Sequence, residues 1–277
     1  ITDNGCGMDG ETLKQALRYG SDTPHDLDTD LGMFGMGLKM ASTSMGTRFE
    51  ILTNNGDGKI SQGVFDFEFF KDSKDFEYQF KQFYDIPDYS IFPIGTQLSI
   101  LNVDSIGVKD PATFRNTLIK RIARTFRHLL YSGKNVIKVG SKVVKPHDPL
   151  YWDHKETIRY TDGWVPVSGF DSLEYRIASV RKVSAIAKGN KTTNQGVSWI
   201  RNNREISHNQ TDPFWKRFPD YRGFLVEVRY TGGEVDKEIK VNIQKRILID
   251  SMSDSLIGVM SSEINPYLKQ AFDDYKN

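Results

Sequence analysis

The segment Asp3–Met8 combines one carboxylate with two glycines in a spacing that suits a small-molecule pocket. Gly5 and Gly7 permit backbone conformations that other residues rarely adopt, so the chain can turn sharply after Asp3. An ionised carboxylate only accepts hydrogen bonds, which suits the exocyclic amine of adenine. The same pattern also occurs in ordinary tight turns and calcium-type loops, so the motif alone is a weak indication of an adenine site.

A second glycine-rich segment, Gly32–Lys39, begins 25 positions after Gly7 and runs into a predicted helix. Such loops bring backbone N–H groups close to phosphate oxygens, and a helix N-terminus adds partial positive charge. Lys39 could bring its ammonium to the phosphates, although an exposed lysine in the first helical turn fits the pattern equally well. Neither the dinucleotide fingerprint nor the common P-loop signature is present.

A third element, Ile94–Leu98, places Gly95 and Thr96 at the start of an alternating strand. The Thr96 hydroxyl could contact the base or support the Asp3 carboxylate. The order and spacing of the three elements resemble the GHKL (Bergerat-fold) ATPases, which include DNA gyrase B, the large heat-shock chaperones, MutL proteins and sensor histidine kinases. The resemblance covers roughly residues 1–105.

Within that superfamily, two segments look most like the microrchidia (MORC) ATPases and their bacterial relatives. These segments are Phe34–Lys39 and Lys145–Leu150. Trp199–Ile206 is similar to a strand and turn of the second domain of those proteins, which extends a weaker resemblance to most of the chain.

The resemblance implies a role for each residue of the motifs. Asp3 would accept from the adenine amine with support from Thr96, while Gly5 and Gly7 would shape the pocket. The segment Ser21–Leu31 would form a lid over ATP. The phosphate loop would consist of Gly32, Phe34, Gly35, Met36, Gly37 and Leu38, with Lys39 on the phosphates.

The resemblance also implies that a residue of the second domain reaches the γ-phosphate, and we match that residue to Lys245 as the catalytic candidate. A lysine can stabilise charge on a transferring phosphoryl group. The alternating pattern around Lys245 fits a basic residue on a solvated strand nearly as well.

The superfamily binds ATP with Mg²⁺, using an asparagine and a water-activating glutamate on a helix before the first motif. This sequence begins at Ile1, with the motif already under way. We therefore expect both residues to lie upstream, and we expect the chain as given to bind nucleotide weakly and hydrolyse it poorly.

The pattern of helices and strands that must position these residues predicts an α+β protein. Residues 1–150 would form a Bergerat-type α/β sandwich with a mixed or antiparallel sheet and helices on one face, and residues 151–277 a smaller, transducer-like α+β domain. Pro146 and Pro149 suggest that boundary. The predicted helices are Glu11–Tyr19, one starting within the second glycine cluster, Pro111–Tyr131 and Asp254–Phe272. The predicted strands are Arg48–Thr53, Lys59–Phe70, Glu77–Phe83, Thr96–Asn102, Asn135–Val139, Lys142–Val144, Glu174–Ala187, Gln195–Arg201 and Gly223–Tyr230.

The helix Pro111–Tyr131 is amphipathic and carries five basic residues away from its apolar stripe. They predict a solvated helix face, with nucleic acid as the alternative. The five are Arg115, Lys120, Arg121, Arg124 and Arg127.

Composition excludes several classes of protein. The 277 residues carry a formal net charge of +1, so no global basic field indicates nucleic acid or an anionic membrane. No apolar run approaches the roughly 20 residues that span a bilayer, and the single cysteine, Cys6, favours a reducing compartment. We expect an intracellular protein that does not associate with a membrane, and its location would be cytoplasmic in a bacterium and nuclear in a eukaryote.

Two function classes remain. In the first, ATP closes the lid, brings two subunits together as a homodimer and so drives a conformational clamp, with DNA as one candidate client. In the second, the chain is a non-hydrolysing, ATP-gated protein-interaction module. A histidine kinase ranks below both, because no phosphoacceptor helix is visible in the sequence.

Overall fold

The computed structural model describes residues 1–18, 26, 30–31, 35–73, 79–84, 92–108, 110–167, 171–183, 194–241 and 252–276. Contacts divide the chain into two compact units, Ile1–His25 with Gly32–Lys109, and Asp26–Leu31 with Asp110–Asn277. Each unit contains a five-stranded sheet together with helices. This arrangement confirms the α+β class.

The first unit is built on a sheet with the strand order β1-β5-β2-β3-β4. Every described strand pair in it is antiparallel, so of the two sheet types that we predicted, the antiparallel one forms. The strands are β1 (Thr2–Asp3), β2 (Gly46–Asn54), β3 (Lys59–Asp66), β4 (Gln79–Tyr84) and β5 (Gly95–Val103).

Two helices, α1 (Gly10–Leu17) and α2 (Gly37–Thr43), contribute to one apolar cluster on a face of this sheet. Helix α1 begins after Asp9, whose Oδ1 accepts a hydrogen bond from Thr12 N at 2.7 Å, as N-cap residues do. Burial of residues spaced four apart on α1 fixes its orientation against the sheet. The cluster consists of Leu13, Leu17, Phe49, Ile51 and Phe65, with Leu38, Leu98 and Ile100 packed against it.

The predicted strand Lys59–Phe70 ends earlier, and the chain turns into helix α3 (Phe67–Ser73). The reason is local. Asp66 Oδ1 accepts from Glu68 N at 3.0 Å, which offers a helical start in place of further strand pairing.

The second unit is built on a mixed sheet with the strand order β11-β10-β12-β9-β8, in which β10 and β12 are parallel. Two of its strands, β8 and β11, were not predicted as strands of their own. The elements of this unit are α4 (Pro111–Thr125), α5 (Arg127–Tyr131), β6 (Lys138–Val139), β7 (Lys142–Val143), β8 (Ile158–Val167), β9 (Asp171–Ser179), β10 (Gly196–Arg201), β11 (Arg204–Gln210), β12 (Phe224–Tyr230), α6 (Val235–Glu238) and α7 (Asp254–Lys276).

Helix α7 packs on this sheet through a large apolar cluster that includes Trp199, Met260 and Ile264, each fully buried. Neither α7 nor any other helix in the described ranges is both long enough and apolar enough to cross a membrane.

The helix that we predicted over Pro111–Tyr131 is interrupted at Phe126, which has φ −109° and ψ 19°. Arg127 supplies a cause, because its Nη1 donates to Arg124 O at 2.8 Å and occupies a carbonyl that a regular helix would use itself. The predicted solvated face is therefore only partly correct: Arg127 is fully buried.

Arg127 belongs to a network of charged side chains within the second unit. Its Nη2 donates to Glu227 Oε2 at 2.6 Å, and His128 Nε2 lies 3.2 Å from the other carboxylate oxygen. Arg124 Nε donates to Glu205 Oε2 at 2.8 Å. Burial alone raises the pKa of Glu227, but the interactions of its carboxylate with His128 and Arg127 outweigh burial and lower the pKa to about 2.

The two compact units divide near Asp110, ahead of the boundary predicted near residue 150, because α4 and α5 contact strands of the second unit. The Arg124–Glu205 ion pair, which joins α4 to β11, is one of these contacts. The division into an ATP-binding domain and a transducer-like domain at residue 150 stays a prediction.

Candidate functional site

The carboxylate of Asp3 is held at the end of β1, opposite Thr96 on β5. Its Oδ1 accepts from Gly5 N at 2.9 Å and from Thr96 N at 3.2 Å. The residue is exposed, and among the described residues no hydrogen bond is formed by Oδ2. The structure therefore orients the carboxylate through one oxygen, and among the described residues the other oxygen accepts no hydrogen bond.

A buried threonine that the sequence reasoning missed, Thr53 on β2, joins the two strands of this site. Its Oγ1 accepts from Met8 N at 2.8 Å and lies 3.2 Å from both Gly95 O and Thr96 Oγ1. Its single proton can serve one of these two acceptors at a time. The register of the sheet, in which Thr53 lies opposite Thr96, is the signal that could have identified it.

Two glycines make the close approach of these strands possible. Gly7 has φ +67°, and a Cβ there would lie 2.0 Å from Asn54 O. Gly95 has φ +141°, and a Cβ there would lie 2.2 Å from Asp3 O. Any side chain at either position would displace backbone, so the Asp3 geometry depends on both glycines. Gly5 is less restricted, with its Cβ position 3.1 Å from Asp3 Oδ1.

Only the end of the second glycine segment falls in the described part of the chain. Gly35 has φ +58°, and Met36 precedes Gly37, the first residue of α2. A Cβ on Gly37 would meet nothing within 4 Å, so the space beside it is open. Leu38 packs against the first apolar cluster. Gly32, Phe34 and most of the predicted lid lie outside the described residues, as does Lys245.

Lys39 is buried, unlike either arrangement that we considered. Its side chain reaches the end of α1, where Nζ donates to Ala16 O at 2.8 Å and also to Arg18 O. Those carbonyls carry the partial negative charge of a helix C-terminus and suit an ammonium group. Burial lowers the pKa of Lys39. Contact with phosphates, as predicted, would require these hydrogen bonds to break.

The described residues include no group of three or more His, Cys, Asp or Glu side chains arranged to hold a metal ion. The predicted Mg²⁺ therefore has no ligand set in the described ranges. Asp3 is exposed, and its carboxylate is oriented through Oδ1 by Gly5 N and Thr96 N.

Two solved structures are similar to this chain over most of its length. One is the ATPase domain of Aquifex aeolicus MutL, at 10% identity and a TM-score of 0.40, covering 94% of this chain and 84% of that one. The other is described as the N-terminal domain of a DNA repair protein, at 12% identity and a TM-score of 0.49, covering 97% and 84%. At these values neither structure carries a conclusion about function. No curated protein matches the chain.

A family model for the histidine kinase-, DNA gyrase B- and HSP90-like ATPases matches residues 1–89. The matched range contains the Asp3 motif and the second glycine segment, and the surrounding α+β architecture is that of the Bergerat fold. The match supports the predicted resemblance to the superfamily, although not the closer resemblance to MORC proteins. Residues 1–89 are thus similar to the GHKL-type ATPases.

Proposed function

We propose that the chain is the ATP-binding and transducer portion of a GHKL-type ATPase, and that Asp3 recognises the adenine. The observation that carries this proposal is the orientation of the Asp3 carboxylate by Gly5 N and Thr96 N, with Oδ2 open among the described residues. An acceptor held in this way selects a base edge that carries an amine. The family match over residues 1–89 supports the same reading.

On the phosphate side, we propose that the backbone of Gly35–Leu38 approaches the phosphates, as the second glycine motif predicts. The left-handed φ of Gly35 and the open space beside Gly37 support this part of the proposal. Gly32 and Phe34 are assigned to the same loop by sequence alone. In hydrolysis, water attacks the γ-phosphorus of bound ATP and the β–γ anhydride bond breaks, which yields ADP and phosphate. Mg²⁺ is expected to accompany the nucleotide.

For hydrolysis, we assign the lysine that reaches the γ-phosphate to Lys245 on sequence grounds. The alternative, an interaction module, would bind nucleotide without turnover and would therefore not depend on Lys245. Substitution of Lys245 by Ala is expected to spare ATP binding and to slow phosphate release in the complete protein at least tenfold. Unchanged turnover would remove Lys245 from the site, and absence of turnover in the native protein would favour the module.

The wider proposal is a MORC-like clamp in which ATP promotes homodimerisation, within an intracellular protein and with DNA as one candidate client. It rests on the sequence resemblance, since folds of this kind serve several clients. Light scattering of the complete protein with and without a non-hydrolysable ATP analogue tests the dimer, and an unchanged mass would exclude it.

The proposal is tested most simply through the stability that a ligand confers. ATP with Mg²⁺ is expected to raise the melting temperature of the complete protein, because the ligand binds the native state alone. Asp3→Asn is expected to abolish that rise, since its amide can present a donor to the adenine amine. Asp57→Asn, in the turn between β2 and β3 where Asp57 Oδ1 accepts from Lys59 N, is the charge-matched control and keeps the rise. An equal rise in the Asp3 variant would remove Asp3 from the site.

A further inference from the structure

A short piece of chain that lies in sequence between the two glycine motifs belongs by its contacts to the second unit. This piece is Asp26–Leu31, of which Asp26, Asp30 and Leu31 are described. Asp30 N donates to Asp26 O at 2.8 Å, and Asp26 N donates to Asp30 Oδ2 at 3.1 Å, so the two ends of the turn are tied together.

The Asp30 carbonyl accepts two hydrogen bonds from the second unit. Arg201 Nη1 donates to it at 3.1 Å and Asn202 Nδ2 at 3.0 Å. Asp30 lies two positions before Gly32, where the second glycine segment begins. The carbonyl is therefore held immediately ahead of the segment to which we assign the phosphates.

The Arg201 side chain is oriented by a second residue, Asp236, as well as by Asp30. Its side chain is buried, and its Nε and Nη2 donate to the two carboxylate oxygens of Asp236, each at 2.7 Å. Asp236 Oδ2 also accepts from Gly233 N at 3.2 Å. This bidentate pair fixes the plane of the guanidinium, which directs Nη1 to the Asp30 carbonyl.

The turn between β10 and β11 and its hydrogen bonds orient Asn202 as well. Asn202 and Asn203 both have left-handed backbones, with φ of 47° and 64°. Asn202 Oδ1 accepts from Gly232 N at 2.9 Å, and Asn202 N donates to Tyr230 O at 3.0 Å. Because the amide oxygen is used by Gly232, its Nδ2 faces the opposite way, toward Asp30.

We propose that Arg201 and Asn202 form an anchor, the Asp30 anchor, which positions the chain entering the phosphate segment and couples it to the second unit. The two residues are positioning residues and do not touch ATP. This inference rests on the proposed ATP site, because coupling to nucleotide requires that ATP binding change the conformation of the segment that begins at Gly32. A change in that segment is transmitted to Arg201, Asn202 and β10 through the Asp30 carbonyl.

The chain offers a matched pair of variants. Asn202→Gly and Asn203→Gly both keep a residue that adopts positive φ without strain, but only the first removes the hydrogen bond to Asp30. Arg201→Lys is a second, independent variant. A lysine nitrogen can meet Asp236 but cannot contact Asp30 in the same geometry, because it is one point donor and not a fork.

The anchor is tested first without nucleotide, by hydrogen exchange of peptides covering residues 26–31 in the complete protein. We expect exchange there at least tenfold faster in Asn202→Gly and in Arg201→Lys, and unchanged in Asn203→Gly. Unchanged exchange in both of the first two variants would overturn the anchor. A matching increase in Asn203→Gly would also overturn it, since the effect would then come from the turn itself.

The coupling is tested by adding a non-hydrolysable ATP analogue with Mg²⁺ and following exchange at residues 230–238. In the wild-type protein the analogue is expected to slow exchange at least threefold there, and in Asn202→Gly this response is expected to disappear while the analogue still binds. An equal response in that variant would overturn the coupling. Failure of the wild type to bind the analogue would instead reject the proposed ATP site, and the exchange comparison without nucleotide would still decide the anchor.

Discussion

Asp3 in the first unit and Glu227 in the second are both carboxylates fixed by hydrogen bonds, but the two are arranged for opposite purposes. Glu227 is 2% exposed, and both of its oxygens are occupied, by Arg127 and by His128. Asp3 is exposed and is held through Oδ1 alone. A carboxylate whose capacity is used within the protein stabilises the fold, whereas one with an oriented open oxygen is available to a ligand.

The largest expected effect is on stability and falls on Glu227. Replacement by Gln leaves the buried Arg127 without its closest charge partner, which is expected to cost about 3–5 kcal/mol of the free energy of unfolding. Urea denaturation measures it. Asp3→Asn is the counterpart, with an expected change of about 0.5 kcal/mol or less. Similar losses in the two variants would remove the distinction between the carboxylates.

Acid should remove the stabilising contribution of the buried Glu227 carboxylate. The pKa of Glu227 is lowered from 4.5 to about 2 in the folded protein, so the unfolded chain takes up the proton first as the pH falls. Its stabilising contribution is complete above about pH 4.5 and is lost as the pH approaches 2, amounting to about 3 kcal/mol.

Unfolding curves of the wild type and of Glu227→Gln across that pH range measure this contribution. The variant should lose less stability on acidification than the wild type does. Parallel pH profiles for the two proteins would contradict the assignment of the lowered pKa to Glu227.

Gly7 and Gly37 offer a similar comparison for the backbone, because a Cβ would clash at the first position and meets open space at the second. Gly7→Ala requires a left-handed alanine, at about 1–2 kcal/mol, and places its Cβ 2.0 Å from Asn54 O. We expect a loss of at least about 2 kcal/mol, measured by thermal unfolding, together with loss of ATP binding. Gly37→Ala, with open space and a helical position, should instead gain about 0.5–1 kcal/mol. Equal destabilisation by both would contradict the strand approach at Asn54.

A smaller loss of stability is expected from replacing Lys39. Lys39→Met keeps the apolar stem but leaves the carbonyls of Ala16 and Arg18 without their ammonium donor, at an expected cost of about 1–3 kcal/mol. Lys39→Arg retains a donor and should recover part of that loss in thermal unfolding. If Lys39→Met matched the wild type in stability and lost only ATP affinity, the phosphate contact predicted from sequence would be favoured.

The motif residues were predictable because their chemistry is local in sequence. Asp3, Gly5 and Gly7 lie within five consecutive positions, and the hydrogen bond from Gly5 N to Asp3 forms within them. A mixed or antiparallel sheet and the helices α1 and α2 of the first unit followed from alternation and from helical spacing, whereas α3 was predicted as strand. The Thr96 hydroxyl was predicted to contact the base or to support Asp3. In the structure Thr96 lies opposite Asp3, and its backbone N–H donates to Asp3 Oδ1, while its hydroxyl lies beside Thr53 Oγ1.

The rest depends on contacts between distant residues. Thr53 meets Thr96 only through the register of β2 with β5, and Arg127 meets Glu227 a hundred positions away. The charge pattern of α4 and α5 predicts a solvated arginine there, because no periodicity reveals a carboxylate on another strand. The burial of Lys39 was not predicted for a related reason: its hydrogen-bond acceptors lie at the end of α1, distant in sequence from the motif.

The central claim is that the open oxygen of Asp3 recognises the adenine amine, and base selectivity tests it most directly. Calorimetry would compare ATP with inosine triphosphate, which carries a carbonyl in place of the amine, on the complete protein and on Asp3→Asn. We expect the wild type to prefer ATP at least tenfold, and the variant to lose or reverse that preference because its amide can donate to the carbonyl. An unchanged preference for ATP in Asp3→Asn would contradict the assignment.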